Sequence, residues 1–184
     1  MTKHLLDPNK SVLLVVDIQE KFVPVVHEFR ALIAKAKALI EGAKLLDVPV
    51  VVSEQYPKGL GPTVAELADA LPAGALKFEK TAFGCLGDEI ITERLASLDR
   101  PQVVVCGIEA HVCMNQTVHQ LLAAGYEVHL IEDALSARDP KNIEIGRRKM
   151  ELAGAVPSSV EMALFEWMGH SRHAQFRAVQ ALIK

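Results

Sequence analysis

Three polar residues each close an apolar run, and their types suit nucleophilic chemistry. Asp17 ends Val12-Leu13-Leu14-Val15-Val16, Lys80 closes the segment Ala75 to Glu79, and Cys113 follows the run that finishes at Cys106. A thiol attacks poorly until it is ionised, and both a helix start and a neighbouring cation favour the thiolate. An Asp can take the thiol proton during attack and return it to a leaving amine. The pattern therefore predicts Cys113 at a helix start as the one low-pKa thiol, Lys80 as the cation beside it and Asp17 as the proton carrier. The same residues also admit a structural reading, with Asp17 shaping the turn after a strand, Lys80 as its ion-pair partner and Cys113 packing as a buried cysteine. Cys106 continues an apolar run and belongs in the core, while Cys85 follows Phe83-Gly84 near the same region with no adjacent group to activate it.

The elements that must position these residues alternate between β and α. The chain has 184 residues, 50% hydrophobic and 23% charged, which suits a single domain over 1–184. Strands are predicted at 11–16, 48–53, 75–79, 102–106 and 126–131, with a weaker one at 155–157. Several are unbroken apolar runs, the mark of strands covered on both faces. Helices are predicted at 28–46, 63–70, 84–97, 112–124, 141–153 and 158–167, with a terminal helix from Ser171; Gly125 and Gly154 sit where two of them end. This is an α/β pattern: a three-layer Rossmann-like sandwich around a six-stranded, mainly parallel sheet of order 3-2-1-4-5-6. In that order the first and fourth strands are neighbours at the switch point, so Asp17 and Cys113 flank one crevice.

Composition and missing motifs exclude other chemistries. With 20 basic and 23 acidic residues the net charge is −3 and no basic stripe occurs, which argues against a nucleic-acid partner. The run Val12 to Val16 is too short for a signal core or a membrane span, and three cysteines without a CxxC pair indicate a reducing, cytoplasmic setting. No GxGxxG follows the first strand, and neither GxxxxGK[ST] nor GxSxG occurs. The expected partner is a small-molecule substrate, with no cofactor. Apolar residues on a late helix, Met162, Leu164, Phe165 and Trp167, predict a homo-oligomer of at least two chains.

The segments LLVVDIQEKF, FEKTAFGC and VCGIEAHVCMNQT together resemble the isochorismatase-like, cysteine hydrolase family, and the resemblance spans Ser11 to the last helix. It implies Cys113 as nucleophile, Asp17 as proton acceptor and donor, and Lys80 as the charge that stabilises thiolate and positions Asp17. It also implies a non-proline cis peptide at Ile108-Glu109, an oxyanion hole made by the amides of Glu109 and Cys113, and a role for Thr117 in the family's CxxxT. Gln19, Phe22, Tyr56 and Phe83 are expected to line the substrate pocket. Nicotinamidases of this family carry an Asp and histidines for a metal after the second strand. No His occurs here between His27 and His111, so no metal site is expected. The segment Ser53 to Gly61 instead resembles the isochorismatase-domain-containing group. The family also offers an alternative, acid-catalysed vinyl ether cleavage with Asp17 as proton donor. A non-catalytic scaffold of the same fold is a third reading.

Overall fold

In the computed structural model, which describes residues 4–184, six apolar runs pair into one sheet. They are β1 (Ser11–Val16), β2 (Val50–Gln55), β3 (Leu76–Lys80), β4 (Gln102–Gly107), β5 (Glu127–Leu135) and β6 (Val156–Ser158). Their order is β3-β2-β1-β4-β5-β6 and every pairing is parallel, so the mainly parallel sheet expected from sequence is wholly parallel. All residues of β1 and β4 are buried. Alternate side chains point to opposite faces of a strand, so each strand feeds two cores. Leu13, Val15, Val52, Val104 and Cys106 enter one; Val12, Leu14, Val16, Val103 and Val105 enter the other.

Helices cover both faces. They are α1 (Phe29–Leu45), the short α2 (Pro57–Leu60) and α3 (Ala65–Ala68), α4 (Glu89–Ser97), α5 (Asn115–Ala123), α6 (Pro140–Leu152), α7 (Val160–Met168) and α8 (Phe176–Leu182). The first core is closed by Leu39 and Ile40 of α1, Leu67 of α3, Leu164 and Trp167 of α7 and Val179 of α8. The second is closed by Ile91 and Leu95 of α4, Val118 and Leu121 of α5 and Met150 of α6. The chain changes face after β3, and β1 and β4 meet at that reversal.

Differences from the sequence reading lie at element ends. The helix expected from Gly84 begins at Glu89, where the Asp88 carboxylate accepts from Ile90 N at 3.3 Å and caps it; a 3-10 turn, Cys85–Gly87, precedes it. The helix expected from Val112 opens instead with a π-helical turn, Ala110–Met114. A helical turn inside the 55–62 loop was not expected; Pro57 occupies its first position, where a missing N–H costs nothing. The terminal helix starts at Phe176 rather than Ser171. On α7, Leu164 and Trp167 pack into the chain's own core, and Trp167 Nε1 donates to Ser11 Oγ at 3.0 Å. Of the apolar face expected to meet another chain, only Met162 and Phe165 stay exposed. No helix among the described residues is long and apolar enough to cross a membrane.

Candidate active site at the β1–β4 switch point

At the carboxyl ends of β1 and β4 the backbone of one strand leaves no room for a side chain on the other. Gly107 pairs with Val16, and a Cβ at Gly107 would stand 2.1 Å from Val16 O, so only glycine allows the approach. Its φ of +134° is likewise one that side-chain-bearing residues avoid. The next residue on β1, Asp17, turns into the left-handed region at φ 55°, a conformation that Asp tolerates better than most residues. Strand end and turn thus bring Asp17 against the segment Glu109 to Cys113.

Asp17 is buried and held from two sides. Ser53 Oγ of β2 donates to Asp17 Oδ1 at 2.7 Å, and Lys80 Nζ lies 2.7 Å from Asp17 Oδ2. The Lys80 ammonium is itself fully buried and donates to Gln55 Oε1 at 2.6 Å, Phe83 O at 2.9 Å and Ala82 O at 3.2 Å. A buried cation survives only with such a set of acceptors. The ion pair is close but poorly directed, so Asp17 Oδ2 makes no well-formed hydrogen bond among the described residues and keeps a lone pair for another proton.

Cys113 faces Asp17 across the crevice, close enough for the carboxylate to act on its thiol. Burial pushes its thiol up to about 12, the Asp17 carboxylate acts in the same direction, and Lys80 offsets only part of the rise. The low-pKa thiol expected from sequence is therefore corrected: the thiol rests protonated. Two causes outweigh the helix start. Cys113 sits inside the π-helical turn rather than at its first residue, and the crevice that gives it a base also strips it of water. Cys106 lies in the core on the opposite face of the sheet, with its thiol also pushed up to about 12 by burial. Cys85 lies near the same crevice, with its Sγ 3.5 Å from Ser53 Oγ, and burial raises its thiol too.

Helix α5 ties the Cys113 turn to the loop that holds Lys80. Thr117 Oγ1 accepts from Cys85 N at 3.0 Å, and Gln120 Oε1 accepts from Leu86 N at 3.0 Å. The Thr117 hydroxyl therefore serves the loop after β3, not the turn preceding it.

The Ile108-Glu109 peptide is cis. Glu109 N–H has no acceptor among the described residues, whereas the next amide, Ala110 N, donates to Ser136 O at 2.9 Å. The Glu109 side chain is buried and turned to Arg138, which donates from its backbone N at 3.0 Å and from Nε at 3.0 and 3.1 Å.

The four expected pocket residues differ in placement. Tyr56 and Phe83 are both 55% exposed on post-strand loops. Phe22 is half-buried against the first core. Gln19 is fully buried: Nε2 donates to Gln55 O at 3.0 Å and to Gly61 O at 2.6 Å, while Oε1 accepts from Gln55 N at 2.8 Å. Its amide holds the end of β2 and the loop after it through all three of these bonds. A cavity of about 250 Å³ opens there, lined by Tyr56, Lys58, Glu79, Lys80, Thr81 and Asp88. It shares Lys80 with the crevice but not Asp17 or Cys113. Near the end of β2, Glu54 Oε1 accepts from Thr63 N and Thr63 Oγ1, both at 2.7 Å, and faces Lys77 Nζ at 3.3 Å. Among the described residues no three His, Cys, Asp or Glu side chains gather into a metal-holding group. Ser53, Gln55 and Arg138 were not singled out from sequence: two belong to the last residues of β2 and one to the loop after β5, and their partners are distant in the chain.

Comparison with known proteins agrees with this architecture. The chain is 37% identical over 179 residues to isochorismatase domain-containing protein 2 of Xenopus laevis, covering 97% of this chain and 85% of the relative. It is 38% identical over 190 residues to the secreted isochorismatase effector Isc1 of Phytophthora sojae, covering 100% and 90%. The structure of the MAR1 ribonuclease of Caenorhabditis elegans superposes with a TM-score of 0.93 at 37% identity, covering 97% of this chain and 92% of that one. Residues 11–162 match the Isochorismatase domain, and the chain belongs to that family of hydrolases.

Proposed function

We propose that this protein opens a non-peptide carbon–nitrogen bond in a small amide or related carbonyl compound through a thioester on Cys113. The observation that carries the reading is the buried Lys80–Asp17 pair, with an unoccupied lone pair on Asp17 Oδ2, beside the Cys113 thiol. Because the thiol rests protonated, attack and proton transfer belong to one step. The S–C bond forms, the proton passes to Asp17, and the carbonyl π pair moves onto oxygen, where the amides of Glu109 and Cys113 receive it. The intermediate collapses, the C–N bond breaks, and the amine leaves with the proton from Asp17. Water then attacks the thioester and gives a proton to Asp17, which returns it to the departing sulfur as the acid is released. Lys80 remains an ammonium throughout and fixes the carboxylate.

Vinyl ether cleavage would leave Cys113 idle, and the placement of the thiol beside Asp17 favours the amide reading. The Caenorhabditis elegans relative is called a ribonuclease; the net charge of −3 and the absence of a basic stripe support a small molecule here instead. Three free cysteines support a reducing, cytoplasmic setting. Exposed Met162 and Phe165, with Leu5 nearby across a shared groove, support a homo-oligomer, which light scattering at micromolar concentration tests. For the reaction, an amide panel followed by intact mass spectrometry should trap an acyl group on Cys113, and Cys113→Ala should abolish turnover. Hydrolysis that survives Cys113→Ala overturns the reading.

A further inference from the structure

The oxyanion turn carries a charge that opposes its proposed task. Glu109 is the residue whose N–H is free to receive the oxyanion, yet its own side chain is a carboxylate, 8% exposed. A negative charge held this close would resist the negative charge that develops on the carbonyl oxygen, and low local dielectric makes the opposition stronger. One cation answers it. Arg138, on the loop after β5, places Nε 3.0 Å from Oε2 and 3.1 Å from Oε1, and its backbone N donates to Oε2 at 3.0 Å. The guanidinium head is otherwise open to solvent, 60% exposed, and it reaches past the surface only to meet this buried carboxylate.

We propose that Arg138 is a positioning residue of the oxyanion turn, cancelling the Glu109 charge and fixing the Glu109 amide toward the reacting carbonyl. The inference rests on the reading of Cys113 as nucleophile. It explains why one buried side chain accepts three hydrogen bonds from one residue, an arrangement that a surface loop does not need for its own stability. The backbone bond from Arg138 N persists when the side chain is changed, so charge can be removed while the loop stays tethered.

Because the oxyanion charge exists only after attack, loss of Arg138 should slow chemistry without weakening the binding of a neutral substrate. p-Nitrophenyl acetate is such a probe: Cys113 attacks its carbonyl, p-nitrophenolate leaves, and acetyl remains on sulfur until water removes it as acetate. Arg138→Gln should lower the burst rate constant about tenfold, with the half-saturating concentration unchanged within about twofold. Arg138→Lys, which keeps the charge, should retain most of the burst rate. Glu109→Gln added to Arg138→Gln should restore at least about fivefold of what Arg138→Gln lost, since the charge to be cancelled is gone. A merely structural Arg138 lowers the melting temperature, which removing Glu109 restores as well, but leaves the burst rate constant of the folded protein unchanged. Intact mass spectrometry of each variant locates the acetyl group. A Cys113-dependent burst that Arg138→Gln leaves intact, or a loss that Arg138→Lys and the double variant fail to recover, overturns this inference alone. A wild-type protein without acetyl on Cys113 overturns both it and the proposed function.

Discussion

Gly146 of α6 and Ala110 of the π-helical turn touch backbone to backbone: a Cβ on Gly146 would stand 2.7 Å from Ala110 O and 3.0 Å from His111 N. The turn that carries Cys113 is therefore braced by a helix that has no side chain at the point of contact. Gly146→Ala must push the two apart, since neither neighbour is a flexible side-chain end. Overpacking of this kind costs about 1–3 kcal/mol, less the roughly 1 kcal/mol that Ala gains over Gly in a helix. A melting temperature unchanged from wild type, together with unchanged acylation of Cys113, would show that the brace has no bearing on the turn.

The protonated thiol predicts a distinct pH dependence. With Cys113 pushed up to about 12, its thiolate fraction rises as pH rises and does not level off near neutrality. Alkylation of Cys113 by iodoacetamide should accelerate about tenfold per pH unit between pH 7 and 10. Lys80→Met should slow it further, because the one nearby charge that favours thiolate is removed. A plateau below pH 8 would mean that the thiol is already ionised at rest. Peptide mapping should find Cys106 unlabelled while the protein stays folded.

Lys80 and Asp17 should be unequal to lose but better lost together. Lys80→Met leaves the Asp17 carboxylate buried without its cation, a change that typically costs about 3–5 kcal/mol. Asp17→Asn should abolish hydrolysis, since an amide cannot carry the thiol proton. The double variant should be more stable than Lys80→Met alone and equally inactive. Denaturant unfolding of the three variants gives the coupling; strict additivity would contradict a buried, mutually dependent pair.

Gln19→Ala should act on the loop rather than on the chemistry. It strips three hydrogen bonds from a buried amide and leaves Gln55 N and two carbonyls without partners, at a cost of about 1–3 kcal/mol for each group that water cannot reach. The loop that carries Tyr56 should loosen. Faster hydrogen exchange over residues 55–62, with a raised KM and a kcat that falls less, is the expected signature.

The sheet was legible because unbroken apolar runs such as Val12 to Val16 and Val103 to Cys106 can be buried on both faces only in a parallel sheet with helices on each side. The same logic placed Asp17 and Cys113 at one switch point. What sequence could not supply was the electrostatic balance. Helix start and Lys80 were visible as residue types, whereas the desolvation that raises the Cys113 thiol depends on how tightly β1 and β4 close around it. Ser53, Gln55 and Arg138 act on residues far away in the chain, so local spacing gives no hint of them. Gln19 shows the reverse: a polar residue just past a strand end looked like a ligand-binding group, and its amide belongs to the scaffold.

The clamp from Thr117 and Gln120 to the loop after β3 gives α5 a second office. The helix that follows Cys113 also fixes Cys85 and Leu86, next to the Ala82 and Phe83 carbonyls that cradle the Lys80 ammonium. Cys113 and the acceptors of the Lys80 ammonium therefore share a common mount. Asp17 is anchored elsewhere, to β1 and to Ser53 of β2, and meets that mount only through the Lys80 ammonium.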